Sequence, residues 1–551
     1  MVKKRYRLLK HNLINLKQIS IKSYKHILII SRSTKKTNLF LLILFATLLS
    51  MQSIKAQFYN LPNEYFFNIL TQKNLSKIDS VQTHPSIEPY IPFFNKRYEF
   101  VADSYKIFKF ITDDIAIDKV FYDHLIHIKS KNKKYEFKVD PLLNVELGKA
   151  FSDTTKYINT STNTRGFIAS GTIGKDFYFE TMFAENQSYF PYYISNFNNQ
   201  TKVVPGQGRY KTFKTSGYDY AFSSGFISYQ PIKNLNIQLG HGKQKIGTGY
   251  RSILLSDNAF NYPYIRATSQ WLKGKLQYTN IYAVLMNLET GGAKTPQFTE
   301  PLFQKKAFSI QYLSYNLNKR INVGLFQGMI WNSADSMNRQ HLEWQYFNPI
   351  IFSNLGFYGL NNKNNILIGA NATIKITSKI NAYAQFMADD LSNKTKLGNA
   401  IGYQVGIKYF DAFNFKNLMI QIEYNDVKEG SYNSPFGTTT NQSFSHYNQT
   451  LAFTPGYGKE FIALADYKYK RFFINTKLNL QWLTVKGYEF YYNTISRLAL
   501  GYTINPAYNL NVSLGYNYRQ QIFTDFKASN NTTTFYSLSI KSNLYNTYYD
   551  F

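Results

Sequence analysis

The chain of 551 residues contains no cysteine. Disulfides and thiolate metal sites are therefore excluded. Tryptophan is scarce, with 4 residues against 47 Tyr and 45 Phe, and acidic residues are few, 33 against 63 Lys and Arg. Long apolar runs are also missing. The run at residues 39–51 is too short for an ordinary transmembrane helix, and no later segment approaches the roughly 18–20 apolar residues that such a helix needs. No Gly-x-Ser-x-Gly elbow frames a nucleophile, and no Gly-x-x-x-x-Gly-Lys-Ser/Thr loop is present to cradle a phosphate. The chain therefore reads as a non-enzyme with no cofactor.

What is present is alternation. Residues 508–518 read YNLNVSLGYNY. Tyr508, Leu510, Val512, Leu514, Tyr516 and Tyr518 fall on one face of a strand, and Asn509, Asn511, Ser513, Gly515 and Asn517 on the other. The same pattern recurs at residues 366–376, 380–388, 403–409, 418–425 and 472–482. Each segment is about ten residues, the length of a tilted strand crossing a bilayer. A half-buried strand of a soluble sandwich alternates in the same way, so the pattern needs further support.

Export supplies it. Lys35 and Lys36 precede the apolar run, and Ile54-Lys55-Ala56 follows it, which is the layout of a secretory signal with Gln57 as the mature start. An exported chain of amphipathic strands without membrane helices fits a bacterial outer membrane. The abundance of Tyr suits the aromatic girdles of such barrels. The formal charge of +30 suggests nucleic acid at first. Twelve of the cations, and no Asp or Glu, lie within residues 1–56, so the mature chain keeps +18, dispersed rather than clustered. Nucleic acid is not an expected partner; outer-membrane lipid is.

The expected division is a leader and signal at 1–56, a periplasmic helical element at 57–135 and an outer-membrane β-barrel at 136–551. Within the second part, residues 62–73 and 103–127 carry apolar residues at helical spacing. His124 and His127 are three apart on the presumed helix, but no third ligand follows, so no metal site is expected. The third part accommodates about 16–20 antiparallel strands, with 18 favoured. The polar stretches 186–210, 288–301 and 430–447 are candidate extracellular, surface-exposed loops. Phe551 places an aromatic at the last position, as outer-membrane barrels commonly do, but out of phase with Tyr536, Leu538 and Ile540.

The most distinctive block is residues 240–266, GHGKQKIGTGYRSILLSDNAFNYPYIR. Its Gly240, His241, Gly242, Lys243, Gly247, Gly249-Tyr250-Arg251-Ser252, Leu254-Leu255-Ser256-Asp257-Asn258-Ala259 and Pro263 resemble the capsule-assembly outer-membrane family of Wzi type. Within that family they are closest to its gliding-motility, RemB-like branch. Asp140-Pro141-Leu142-Leu143, Thr164-Arg165-Gly166, Phe347-Asn348-Pro349, Glu423-Tyr424-Asn425 and His446-Tyr447 extend the resemblance over roughly residues 140–465. The resemblance implies a large barrel closed on its periplasmic side and a non-enzymatic surface role in capsule attachment, or in gliding motility and adhesion. Surface polysaccharide and other motility or envelope proteins would be the partners.

Two readings of the block remain. Tyr250, Arg251, Asp257, Asn258 and Tyr264 supply rings to stack on sugars and polar groups to bond hydroxyls. Alternatively they form a lumen network in which Arg251 and Asp257 pair internally, which is the preferred reading because a barrel lumen needs such packing. At the level of function, the alternative to a surface role is a diffusion porin or substrate-specific channel.

Overall fold

The structure, a computed structural model, describes residues 72–77, 82–90, 119–132, 134–152, 155–290, 303–332, 347–353, 364–389, 400–433, 442–485, 489–523, 530–542, 544 and 546–551. The expected signal segment lies outside them. Among the described residues, no helix is long and apolar enough to cross a membrane.

Eighteen strands form a closed antiparallel barrel. In chain order they are β1 (Tyr135–Ser152), β2 (Thr155–Ile173), β3 (Phe177–Tyr189), β4 (Gly217–Ile232), β5 (Leu235–Gly242) and β6 (Tyr262–Trp271). Then come β7 (Leu276–Thr290), β8 (Phe303–Asn316), β9 (Ile321–Trp331), β10 (Asn365–Lys375), β11 (Ile380–Asp389) and β12 (Ile401–Phe410). The ring is completed by β13 (Leu418–Val427), β14 (Gly458–Tyr469), β15 (Phe472–Val485), β16 (Glu489–Asn505), β17 (Leu510–Phe523) and β18 (Asn531–Lys541). Each pairs with its successor, and β18 returns to β1. Closure gives each of these strands a neighbour on both sides, which is what allows strands to stand in lipid.

The alternation read from the sequence maps onto the two sides of this wall. Leu239, Ile265, Phe386, Val405, Leu514 and Leu538 point outward and are exposed, while Gln385, Gln404, Glu423, Asn425, Glu460 and Asn479 point inward and are buried. An apolar exterior around a polar interior inverts the soluble arrangement and is that of an outer-membrane barrel. Connections differ at the two ends. One end carries only short turns, such as 174–176, 233–234, 376–379 and 470–471. Beside these turns stand the exposed rings of Tyr135, Tyr229, Trp271, Phe413, Tyr469 and Phe472, an aromatic girdle. Long connections gather at the other end.

The closing seam is built from two strands. β18 pairs with the upper part of β1 down to Lys541 opposite Asn144. Lower down, a short strand, Ile126–Lys129, takes over and pairs with β1 from Ile126 opposite Val139 to Lys129 opposite Glu136. Between them β1 holds Asp140-Pro141-Leu142-Leu143. Pro141, which has no N–H to donate, lies in this gap. The Asp140 carboxylate accepts from Leu125 N at 3.1 Å and bonds His124 Nδ1 at 2.6 Å. His127 contacts Glu136 at 2.9 Å. His127 therefore stands on a strand rather than on the expected helix, because pairing with β1 outweighs the local helical spacing. Both histidines tie residues 119–129 to the barrel. Among the described residues, no group of His, Asp and Glu could hold a metal ion.

The lumen is occupied. Residues 72–77 form a short helix at the short-turn end, where Lys73 bonds Asp411 at 2.6 Å. Ile87–Glu88 then pairs with Lys245–Ile246 in a two-stranded sheet inside the barrel. Residues 243–261 fold down from the long-loop end and bury Ile253, Leu254 and Leu255 completely. Leu451, Ala452 and Phe453 are equally buried and pack with them. The stretch 430–447, expected as an extracellular loop, departs from that reading where it is described. Tyr432, Phe444 and His446 are buried: the rings of Tyr432 and Phe444 join the apolar cluster of the lumen block, and the His446 ring stands edge-on to Tyr262.

Two further departures concern the chain's last strands. β17 starts at Leu510, and Tyr508 is a buried turn residue, since Asn509 at φ 53° turns the backbone out of strand geometry. After Lys541 the chain leaves the wall, and residues 546–551 lie inside the lumen. Phe551 is therefore not part of the last strand. Its ring packs on Phe197 at 4.3 Å.

Candidate functional site

The site is built where the 243–261 block meets strands β13 to β15 and the inward tail. β13 places Glu423 and β14 places Glu460, both on the lumen phase of their strands and both fully buried. The block turns back on itself at Gly249. A Cβ there would stand 2.6 Å from Glu423 Oε2, so only glycine lets the backbone come this close. As a result, Glu423 accepts from two successive backbone amides, Tyr250 N at 2.7 Å and Arg251 N at 3.0 Å. Tyr383 adds its hydroxyl at 2.7 Å.

Arg251 then reaches across the lumen. Its Nε and Nη2 donate to Glu460 at 3.1 and 2.9 Å, a bidentate pair. Nη1 donates to Asp550 Oδ1 at 3.2 Å and Thr454 Oγ1 at 3.0 Å, and Nη2 also donates to the Asp550 carbonyl at 2.7 Å. The Asp550 carboxylate further accepts from Tyr250 OH and Lys477 Nζ, each at 2.8 Å. Burial alone would push the Asp550 carboxyl up. The Arg251 guanidinium and Lys477 ammonium outweigh burial and hold it well below the usual carboxylate range.

Of the five residues singled out in the sequence, four lie in this region. Tyr250 and Arg251 form its centre. Asp257 does not pair with Arg251: it accepts from Tyr548 OH at 2.7 Å and Asn546 Nδ2 at 2.8 Å. The expected Arg251–Asp257 pair is absent because Arg251 is saturated by Glu460 and Asp550, while Asp257 serves as the other anchor of the tail. Asn258 donates to the Thr450 carbonyl at 2.8 Å. Tyr264 stands apart, on β6, in the apolar cluster with Leu254, Leu255 and Phe226. The sequence reading missed Glu460, Lys477 and Asp550. Glu460 and Lys477 carry a faint signal, a charge on the inward phase of a strand; Asp550 carries none.

Beside the network lies a cavity of about 260 Å³. Its walls are the inward faces of β1 to β3 and β14 to β18, and its floor includes Tyr250, Lys477, Tyr548 and Asp550. Thr160 Oγ1 and Asn511 Oδ1 line it, buried and without a protein partner. Hydroxyl, amide and aromatic groups face one space together with charges of both signs: Lys477, Arg497, Arg519 and Lys541, and Glu146 and Asp466.

No family model matches the chain, and no curated protein sequence matches it. Several solved structures are similar in shape. Wzi of Escherichia coli is described as an outer-membrane protein involved in group 1 capsule assembly and a carbohydrate-binding β-barrel. It aligns at a TM-score of 0.46 and 11% identity, covering 73% of this chain and 84% of its own. OccAB2 of Acinetobacter baumannii aligns at 0.40 and 11%, covering 73% and 97%. OpdK of Pseudomonas aeruginosa, solved with vanillate, aligns at 0.41 and 10%, covering 73% and 98%. None of the three reaches 0.5, and none is a gliding-motility protein.

Proposed function

We propose that this chain is a closed, non-enzymatic outer-membrane barrel that holds polysaccharide at the cell surface. The observation that carries the reading is the obstructed lumen. Residues 82–90, 243–261, 442–456 and 546–551 fill it, and buried charge pairs of Arg251 with Glu460 and Asp550 tie the 243–261 block to the wall and to the tail. A diffusion pore needs an open path, whereas a surface anchor needs a rigid stave wall and a fixed interior. The short-turn end with its aromatic girdle faces the periplasm, and the long connections present surface-exposed loops to the exterior. Outer-membrane lipid is the partner of the outward face.

The alternative is a porin, and the cavity of about 260 Å³ is what favours it. Conductance in planar bilayers separates the two. The closed reading expects no steady current from the purified protein, and a persistent open level would overturn it. Gene deletion with capsule retention and surface spreading as readouts tests the role itself. Loss of retained polysaccharide is expected; loss of spreading with retention intact would favour the motility and adhesion role instead.

A further inference from the structure

The Asp550 carboxylate sits in its cradle much as a bound ligand would. The groups that hold it belong to other parts of the chain: Arg251 and Tyr250 from the lumen block and Lys477 from β15, while Gln481 of β15 donates to the Asp550 backbone carbonyl. The segment that carries it is no strand of the wall. Residues 546–551 take part in no ladder, and side chains hold them one by one: Asn546 and Tyr548 on Asp257, Asp550 on Arg251 and Lys477, the Phe551 carbonyl on Arg519. Such a segment detaches contact by contact, without breaking a sheet.

The cradle is also unequal in its charges. Arg251 keeps Glu460 as a bidentate partner whether or not Asp550 is present. The ion pair of Lys477 is with Asp550, so removing that carboxylate leaves the ammonium without its ion-pair partner. Lys477, Tyr250 and Asp550 all border the cavity of about 260 Å³. This is below the roughly 300–1,000 Å³ of drug-sized pockets, suited to one sugar residue rather than a chain. The unpartnered Thr160 Oγ1 and Asn511 Oδ1 on its wall are placed to bond hydroxyls, and the ring of Tyr548 offers an apolar face.

We propose that the Tyr250–Arg251–Lys477 cradle is a carboxylate-binding site which the chain occupies with its own Asp550. A carboxylate-bearing sugar, a uronic acid residue, entering the adjoining cavity takes its place and frees the tail. This names the ligand class of the polysaccharide reading and rests on it for the source of the sugar.

The test uses the full chain in detergent micelles, with glucuronate as probe and glucose as its uncharged counterpart, read by isothermal titration. D550A removes the internal carboxylate and keeps the tail. It is expected to bind glucuronate about tenfold more tightly than the native chain, the worth of one charged contact, with no gain for glucose. Adding K477Q to D550A should abolish the gain. A second measurement needs no variant: glucuronate, but not glucose, should speed chymotrypsin cleavage of the native chain at Tyr548 and Tyr549. Equal affinity of D550A and the native chain for glucuronate, an equal gain for glucose, or cleavage unaffected by glucuronate would each overturn the proposal. If glucuronate fails while deletion still releases polysaccharide from the cell, only the cradle assignment falls. Polysaccharide retained after deletion sinks the polysaccharide-holding reading itself.

Discussion

At the scale of single residues, Arg251 is the position on which most of the lumen depends. It is buried with two carboxylates, and removing one member of such a group leaves an uncompensated charge. Arg251→Gln should therefore cost about 3–5 kcal/mol, seen as a lowered urea midpoint of the barrel in lipid vesicles. Arg251→Gln combined with Glu460→Gln should lose less than the sum of the two single changes, and strict additivity would argue against the pair. His84 gives a pH-dependent counterpart near the short turns. Its ring contacts Ser314 and the Gly274 carbonyl. Burial lowers its pKa from 6.5 to about 4, partly offset by the Gly274 hydrogen bond. A lowered value means that the folded state resists protonation. The contribution of His84 is complete above pH 6.5 and is lost as pH falls toward about 4. Amide exchange at Ser86 to Glu88 should rise through that window, and His84→Gln should flatten the response.

The elements were legible in the sequence to very different degrees. Strands such as β12 were plain, because Val405 and Ile407 must face lipid while Gln404 and Lys408 face inward, and a period of two records that constraint locally. The partners of Arg251 left no such record. Glu460 and Asp550 lie 209 and 299 residues away in the chain, and local periodicity carries no information about closure across a lumen. The tail was missed for the same reason: its alternation stops where it leaves the wall. The phase of Tyr508 suits a strand, although the turn at Asn509 decides its place. The split seam offers a direct check at this scale, made easy by a chain without cysteine. I128C with F137C should cross-link on oxidation, since the two residues are paired, and so should N144C with K541C. Failure of the first pair alone would remove the short strand from the seam.

For the molecule as a whole, the outward face sets the cost of insertion. Val405 lies mid-strand on β12 and is 49% exposed. Val405→Arg should cost about 2–4 kcal/mol if the site lies at the bilayer midplane, measured by equilibrium folding into vesicles. An Arg introduced on the lumen phase, beside the cavity at Ser513, should leave insertion largely intact. Equal penalties at the two sites would contradict the assignment of faces.

The seam has a mechanical consequence. Along β1, residues 140–143 are bridged by the Asp140 carboxylate, by Ser542 and by single backbone contacts rather than by a continuous ladder. Under lateral tension, the load on this junction is carried by two separate zippers placed end to end. Either one can part while the other holds. A stretched membrane would thus find in this wall a line of partial opening, with its fulcrum at Pro141.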